Sequence, residues 1–386
     1  MKQQRILVTG ASGSVGAEVV HRLAREGHSI VACVHRARTL VIQSGRELEM
    51  RRQFSSDEAD PGEIQWVNLR LTEPRMGLGE SLYAELRDAV DMVVHGAAIT
   101  DFGRPRDIYQ AVNVQGTAEL LDFIASAGRR LPLVHISTAY VSGERFGVAL
   151  ETELQVGQRF GNFYEESKFQ AEELVCDSGL PAVMVRPSII VGLEETGQTR
   201  DFRHLFPVLK IMTTGRLRTM PGKYGGLLDL VPIDYVADVI NACVEDFPRV
   251  EGKTLHAVNG QPLSYRQMSD ELATFPQFLM PRFVPRANFR ETDLPREQKL
   301  FYDQLIHLYV TYFNRRVHFD DTLARELMGS RCPDPSAIQF QRLLDYCLQV
   351  GYLGSNRIAA SALPLQAPVG SAPSSVAPLS MAGAAR

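Results

Sequence analysis

A chain of 386 residues with 45% hydrophobic and 22% charged side chains has the length for one large α/β domain with an addition, or for two domains. Its net charge of -4 speaks against a nucleic-acid partner, whose surface would call for a basic excess. Five scattered cysteines with no C-x-x-C pair offer neither a disulfide framework nor a metal site, and no apolar run reaches the roughly 18–20 residues that cross a bilayer.

Arg5 to Val8 form the first expected strand, and Thr9-Gly10-Ala11-Ser12-Gly13-Ser14-Val15-Gly16 follow at once. Residues 15–26 then show helical periodicity, with Val15, Val19, Val20 and Leu23 on one face. Strand, glycine-rich turn and helix are the setting of a dinucleotide-binding fingerprint. The glycines permit a tight turn and close approach to a pyrophosphate, and the helix start supplies free N–H groups. Thr9, Gly10, Ser12, Gly13, Val15 and Gly16 are the first candidate cofactor contacts.

The second strand, Ser29 to Val34, ends in His35-Arg36-Ala37-Arg38. An NAD site would place an acidic residue there for the ribose 2′-hydroxyl, whereas Arg36 and Arg38 suit a 2′-phosphate. The expected cofactor is NADPH; a solvated basic loop is the plain alternative. Residues 39–55 read as helical and polar, and Ile64 to Leu69 as the third strand. Asp91 to His95 form the fourth, leading into Gly96-Ala97-Ala98, where backbone can approach a cofactor closely. A long amphipathic helix over 105–128 carries Asn113, and Leu133 to Ser137 form the fifth strand. This alternation predicts an α/β fold with a doubly wound parallel sheet.

Ser137-Thr138 end the fifth strand, and Tyr164 and Lys168 lie on the helix that follows. Four residues apart, they project from one helix face. A phenol titrates near ~10, and a neighbouring ammonium lowers that value toward working pH, so the pair is suited to proton transfer. The Thr138 hydroxyl could hold a substrate oxygen against the phenol. The same spacing arises by chance on solvated faces, so its weight depends on the glycine-rich turn far upstream.

Six stretches share one order and spacing: TGASGSVG (9–16), HGAA (95–98), NVQGT (113–117), HISTAY (135–140), YEESK (164–168) and RPSIIVG (186–192). On these the chain resembles the extended short-chain dehydrogenases/reductases. EPRMGLGESLYAEL (73–86), HGAAITDFGRP (95–105), STAYVSG (137–143) and DLVPIDYVADVI (229–240) are similar to the acyl-thioester and fatty-acyl reductase branch. The resemblance implies Thr138, Tyr164 and Lys168 as the catalytic set, with Tyr164 and Lys168 also among the cofactor contacts, Lys168 on the nicotinamide ribose, and Pro187 beside the nicotinamide. It counts Ala97 and Asn113 among the cofactor-side residues and leaves Asn113 either in a proton relay or in helix packing. One departure stands out: the family's acidic residue after the third strand is replaced by Arg70. A guanidinium cannot accept from adenine, so Arg70 would stack on the ring or help hold the 2′-phosphate.

Residues 193–225 break the α/β rhythm and gather Arg200, Arg203, Lys210, Arg216, Arg218 and Lys223. Such an excess in an acidic protein suits the phosphates of coenzyme A or an acidic acyl carrier protein. Residues 264–350 read as mainly helical and aromatic-rich, either lining an acyl pocket or forming core. The tail from Ser355 is Ala-, Pro- and Ser-rich and is expected to be disordered. The expected division is a dinucleotide-binding domain over 1–260, to whose substrate site 192–225 contribute, and a smaller unit over 261–354. The function implied is NADPH-dependent reduction of an acyl thioester to an aldehyde, with further reduction to an alcohol left open. The second reading is a ketone or hydroxyl oxidoreductase of the sterol or sugar type. Without an apolar leader, the expected location is the cytoplasm.

Overall fold

The computed structural model describes residues 3–35 and 39–354. Its frame is an eight-stranded sheet of β1 (Arg5–Thr9), β2 (Ser29–Val34), β3 (Arg52–Gln53), β4 (Ile64–Asn68), β5 (Met92–His95), β6 (Leu133–Ile136), β7 (Ala182–Val185) and β8 (Thr254–Leu255). Every pairing is parallel, in the order β8-β7-β6-β5-β1-β2-β4-β3. The chain winds outward from β1 through β2 to β4, then returns to the other side of β1 with β5. That reversal opens a crevice at the carboxyl ends of β1 and β5, the usual ligand position in such sheets.

The sheet buries both faces, so alternate residues enter different cores. Ile6 and Val8 of β1, with Ile30, Ala32 and Val34 of β2, pack under helices α1 (Ser14–Arg25) and Ile233–Glu245. Leu7, Val31 and Cys33 point the other way, toward the helices Glu80–Ala89, Gly116–Ala125 and Phe163–Asp177. The doubly wound α/β expectation holds. The helix expected over 105–128 is one run from Arg106 to Ala125, but its middle, Gln110–Gln115, is wound as a π-helix.

One expectation fails. Residues 39–55 contain no helix: Leu40–Val41 pairs antiparallel with Glu47–Leu48, and Arg52–Gln53 becomes the edge strand β3. The reversal uses Gly45 at φ +85°, a conformation cheap only for glycine. Leu40, Ile42 and Leu48 join the core on the α1 face, so tertiary burial overrides a polar, helix-favouring composition. The two-residue strands β3 and β8 are too short to show alternation.

A second core lies beyond the sheet and combines two separate stretches. Phe206, Leu209, Leu217 and Leu230 pack with Tyr265, Leu272, Phe283, Phe313, Phe340 and Leu344. The later stretch is helical over Tyr265–Ala273, Arg296–Gln304, Thr322–Met328 and Ser336–Gln349, with short strands at Arg282–Val284 and Arg316–Phe319. Among the described residues no helix is long and apolar enough to cross a membrane.

Candidate active site

The first wall of the crevice is the glycine-rich turn. Gly10 sits at φ +71°, and a Cβ there would meet the Gly96 and Ala97 backbone at 2.7 Å. A Cβ on Gly16 would meet the Gly10 carbonyl oxygen at 2.1 Å. Both glycines are therefore required for packing the turn against its neighbours. Gly13 is exposed and forms the N-cap of α1, with no side chain to cap it. The early N–H groups of α1 thus lack a local side-chain acceptor, which fits a phosphate at the positive end of the helix.

Thr9 ties the two loops together. Its Oγ1 accepts from the backbone N–H groups of Gly96 and Ala97, each at 3.2 Å, and lies 2.7 Å from His95 Nδ1. With its lone pairs so used, the hydroxyl donates to Nδ1, which leaves the His95 proton on Nε2, facing Thr117 Oγ1 at 3.1 Å. Burial and the Lys168 charge hold the imidazole down at about 3, so it is neutral. Ser12 and Val15 are half-buried on the turn. Arg70 lies on the loop after β4, exposed and ion-paired to Glu73 at 2.9 Å. The Arg36 and Arg38 assignments lie outside the described residues.

The second wall carries the candidate proton-transfer groups. Asn162 caps the helix Phe163–Asp177 by accepting from the Glu165 N–H at 3.0 Å, so Tyr164 and Lys168 stand on its first turns. Lys168 is buried, and its Nζ donates to the Ile136 carbonyl at 2.8 Å and lies 3.5 Å from His135 Nε2. Burial lowers the ammonium to about 8, against an opposing pull from Glu172. Burial also raises the Tyr164 phenol, and the group drawing it back down is the Thr138 hydroxyl. The expectation that an ammonium lowers the phenol differs from what is found: Lys168 is turned to the strand, leaving the phenol firmly protonated. Thr138 Oγ1 also accepts from the Tyr140 N–H at 3.3 Å and donates to the Pro187 carbonyl at 3.4 Å. Thr138, Tyr164 and Pro187 are thereby brought together.

Asn113 is buried inside the π-helical segment, a distortion frequent at functional sites. Its Oδ1 accepts from the Ile99 N–H at 2.8 Å, and its Nδ2 donates to the Ile99 carbonyl at 3.1 Å and to Ser167 Oγ at 2.9 Å. Ser167 in turn donates to the Tyr164 carbonyl at 2.8 Å. Asn113 thus joins the loop after β5 to the helix bearing Tyr164.

Tyr309 and Tyr312 belong to the aromatic-rich stretch expected either to line an acyl pocket or to form core, whereas Phe102, His204, His135 and Arg315 carried no assigned role in the sequence. Phe102 lies 5.8 Å from the Tyr164 ring, and Tyr309, Tyr312 and His204 pack on Phe102 at 5.0, 5.6 and 6.1 Å. An aromatic wall drawn from three distant stretches therefore faces the phenol. His135 lies fully buried beneath Lys168, its imidazole held well down by burial and the Lys168 charge, with Nδ1 unpartnered. Arg315 donates to both oxygens of Glu165 and lies over the Tyr140 and Tyr312 rings. The signals in the sequence were the aromatic richness of 264–350 and the histidines of the HGAA and HISTAY stretches; the ion pair spans 150 positions and leaves no local trace.

The family model of NAD-binding domains described as "Male sterility protein" matches residues 8–240. An isonitrile lipopeptide synthase of Streptomyces coeruleorubidus is 33% identical over 217 residues, covering 53% of this chain and 14% of that protein. The L-2-aminoadipate reductase large subunit of Penicillium chrysogenum is 27% identical over 292 residues, covering 70% and 20%. The chain therefore spans a fifth or less of the length of these two curated relatives. The crystal structure of the terminal R domain from the myxalamid PKS-NRPS biosynthetic pathway shares the fold, with a TM-score of 0.72, 24% identity and coverage of 91% and 92%. The likeness to extended short-chain reductases of the acyl-thioester branch is borne out, and the chain belongs to the Male sterility protein family of NAD-binding domains.

Proposed function

We propose that the protein is an NADPH-dependent reductase that converts an acyl thioester to an aldehyde and a free thiol. The observation that carries this reading is the Tyr164 phenol, kept protonated beside the Thr138 hydroxyl and faced by the aromatic wall of Phe102, Tyr309 and Tyr312. A protonated phenol suits a proton donor, hence reduction, better than the base that alcohol oxidation needs.

When bound, the nicotinamide supplies hydride to the thioester carbonyl carbon. Tyr164, and Thr138 on turning its proton from the Pro187 carbonyl, would donate hydrogen bonds to the carbonyl oxygen as negative charge develops on it. Proton transfer from Tyr164 to that oxygen yields a hemithioacetal, whose collapse releases thiol and aldehyde. Lys168 would hold the nicotinamide ribose by turning from the Ile136 carbonyl to which it donates. Gly10 and Gly16 let the turn pack closely enough for the exposed backbone at Gly13 to receive the pyrophosphate, which Ala97 would flank.

For the cofactor, Arg36 and Arg38 support NADPH over NADH; replacing both with alanine should erode that preference. The names of the relatives, an aminoadipate reductase and a lipopeptide synthase among them, support a carrier-bound thioester as substrate. The exposed Arg203, Lys210, Arg218 and Lys223 support a docking face for an acidic carrier protein or the phosphates of coenzyme A. We assign the substrate side to the second core, built from 191–230 and 263–353. All five cysteines are free, which supports a cytoplasmic location. The test is NADPH oxidised per thiol released with long-chain acyl thioesters, with products identified by mass spectrometry. One equivalent indicates an aldehyde and two an alcohol. NADPH oxidation without thiol release would instead favour the ketone or hydroxyl reading.

A further inference from the structure

The short stretch Thr199–Asp201, between Val191 and Phe206 of the second core, lies across the glycine-rich turn. Arg200 Nη2 is 3.3 Å from Ser14 Oγ and 3.5 Å from the Ser12 carbonyl oxygen. Its Nη1 donates to the Val41 carbonyl, and its backbone N–H donates to Gln43 Oε1 at 2.6 Å. The Asp201 carboxylate accepts from Ser14 Oγ at 2.8 Å and from Arg200 Nη2 at 3.1 Å. These side chains are only 21% and 29% exposed, so solvent screens their charges incompletely.

Helix α1 has no side-chain cap, its N-cap being Gly13, and no acidic residue in its first turn. A helix start attracts an anion, and here the anion at Ser14 comes from a residue 187 positions away. Carboxylate and phosphate present the same acceptor oxygens to the same donors. Two anions cannot share the place without strong mutual repulsion.

Resting on the cofactor reading above, we propose that Asp201 stands in for the cofactor's pyrophosphate and that Arg200 is a further pyrophosphate-binding residue. Dinucleotide binding displaces the carboxylate, and the guanidinium already held against Ser12 and Ser14 pairs with the phosphate oxygens. The strap also reaches the substrate side. The Thr199 carbonyl accepts from the Tyr346 hydroxyl at 3.2 Å, Phe202 stacks on Tyr352 at 4.2 Å, and His204 enters the aromatic wall by Phe102. His204 holds φ +55°, a strained conformation at the junction with the helix Leu205–Thr213. The exchange at Ser14 therefore couples cofactor arrival to the wall that faces Tyr164.

The experiment titrates NAD+ and NADP+ separately into the full chain by calorimetry, at low and moderate salt, for the wild type, Asp201→Asn and Arg200→Gln. Circular dichroism checks that each variant is folded. Asp201→Asn should tighten both dinucleotides by about 3- to 10-fold, because a competing anion is gone. Arg200→Gln should weaken both by about 10- to 100-fold and flatten the salt dependence. An unchanged or weaker affinity for Asp201→Asn makes the carboxylate a structural anchor and overturns the proposal. A loss confined to NADP+ in Arg200→Gln assigns the guanidinium to the 2′-phosphate and overturns it equally. Should a variant unfold, hydrogen exchange of residues 199–204 in the wild type decides: a change on adding NADP+ supports the exchange, and none refutes it. A wild type that binds neither dinucleotide sinks the cofactor reading itself, a result distinct from either failure of the strap.

Discussion

The Arg315 guanidinium grips both carboxylate oxygens of Glu165, the residue directly after Tyr164, at 2.6 and 2.7 Å, with both side chains at most 3% exposed. Glu165 also accepts from the Gly161 N–H at 3.0 Å, so the pair fixes the start of the helix that presents the phenol. Arg315 follows shortly after Tyr312 and lies 4.5 Å from its ring centroid. One ion pair thus joins the helix of the proton donor to the stretch that supplies the aromatic wall.

Removing one partner strands the other charge in a buried site. Arg315→Leu should cost about 3–5 kcal/mol of folding free energy, the usual cost of an uncompensated buried charge. The pair itself can be nearly neutral relative to apolar residues of like volume. The double variant Glu165→Leu with Arg315→Met should therefore recover much of the loss. Urea unfolding of the three proteins checks this, and a double variant no better than Arg315→Leu would point to packing rather than charge.

The hydroxyl pair gives a second prediction, about chemistry alone. Tyr164→Phe removes the proton but keeps the ring against Phe102, so kcat should fall about 10²- to 10⁴-fold. Thr138→Val removes one donor to the developing oxyanion and should cost about 10²- to 10³-fold. It also removes the group that draws the phenol down, so the two losses should combine less than multiplicatively. Dinucleotide affinity should stay within about twofold in both, since the hydroxyls act on the reacting carbonyl and the proposed phosphate contacts lie on the glycine-rich turn. Full activity in Tyr164→Phe would refute the proton-donor assignment.

The parts legible in the sequence are those with local cause. The glycine-rich turn follows a buried strand and precedes a periodic helix, and each feature is visible within a dozen residues. Tyr164 and Lys168 are helix neighbours, so their shared face follows from spacing. The illegible parts are made by tertiary contact. Glu165 finds Arg315 across 150 positions, and Ser14 finds Asp201 across 187. Residues 39–55 are polar enough to read as a helix, yet Leu40 and Leu48 are pinned into the α1 core across a glycine turn. The direction of the Lys168 side chain was equally hidden, because the Ile136 carbonyl and His135 that receive it come from strand β6, packed beneath the helix.

That direction makes the last prediction one of pH. Burial lowers the Lys168 ammonium from 10.5 to about 8, with Glu172 on the same helix pulling it upward. From the sheet below it faces His135 and, beyond, His95, both neutral. Between about pH 8 and 10.5 the unfolded chain keeps the Lys168 proton while the folded chain has released it. Unfolding free energy therefore rises with pH across that window, and below pH 8 the full cost of the buried charge is present. Measured as wild type minus Lys168→Met by urea unfolding, the difference should climb by at most about 3 kcal/mol from pH 8 to 10.5. A flat difference would mean that the Ile136 carbonyl keeps the ammonium charged throughout. His135→Phe separates the two acceptors: it removes the lone pair that favours the ammonium, so the rise should begin at lower pH. If the window stays put, the imidazole 3.5 Å away contributes nothing to the charge of Lys168.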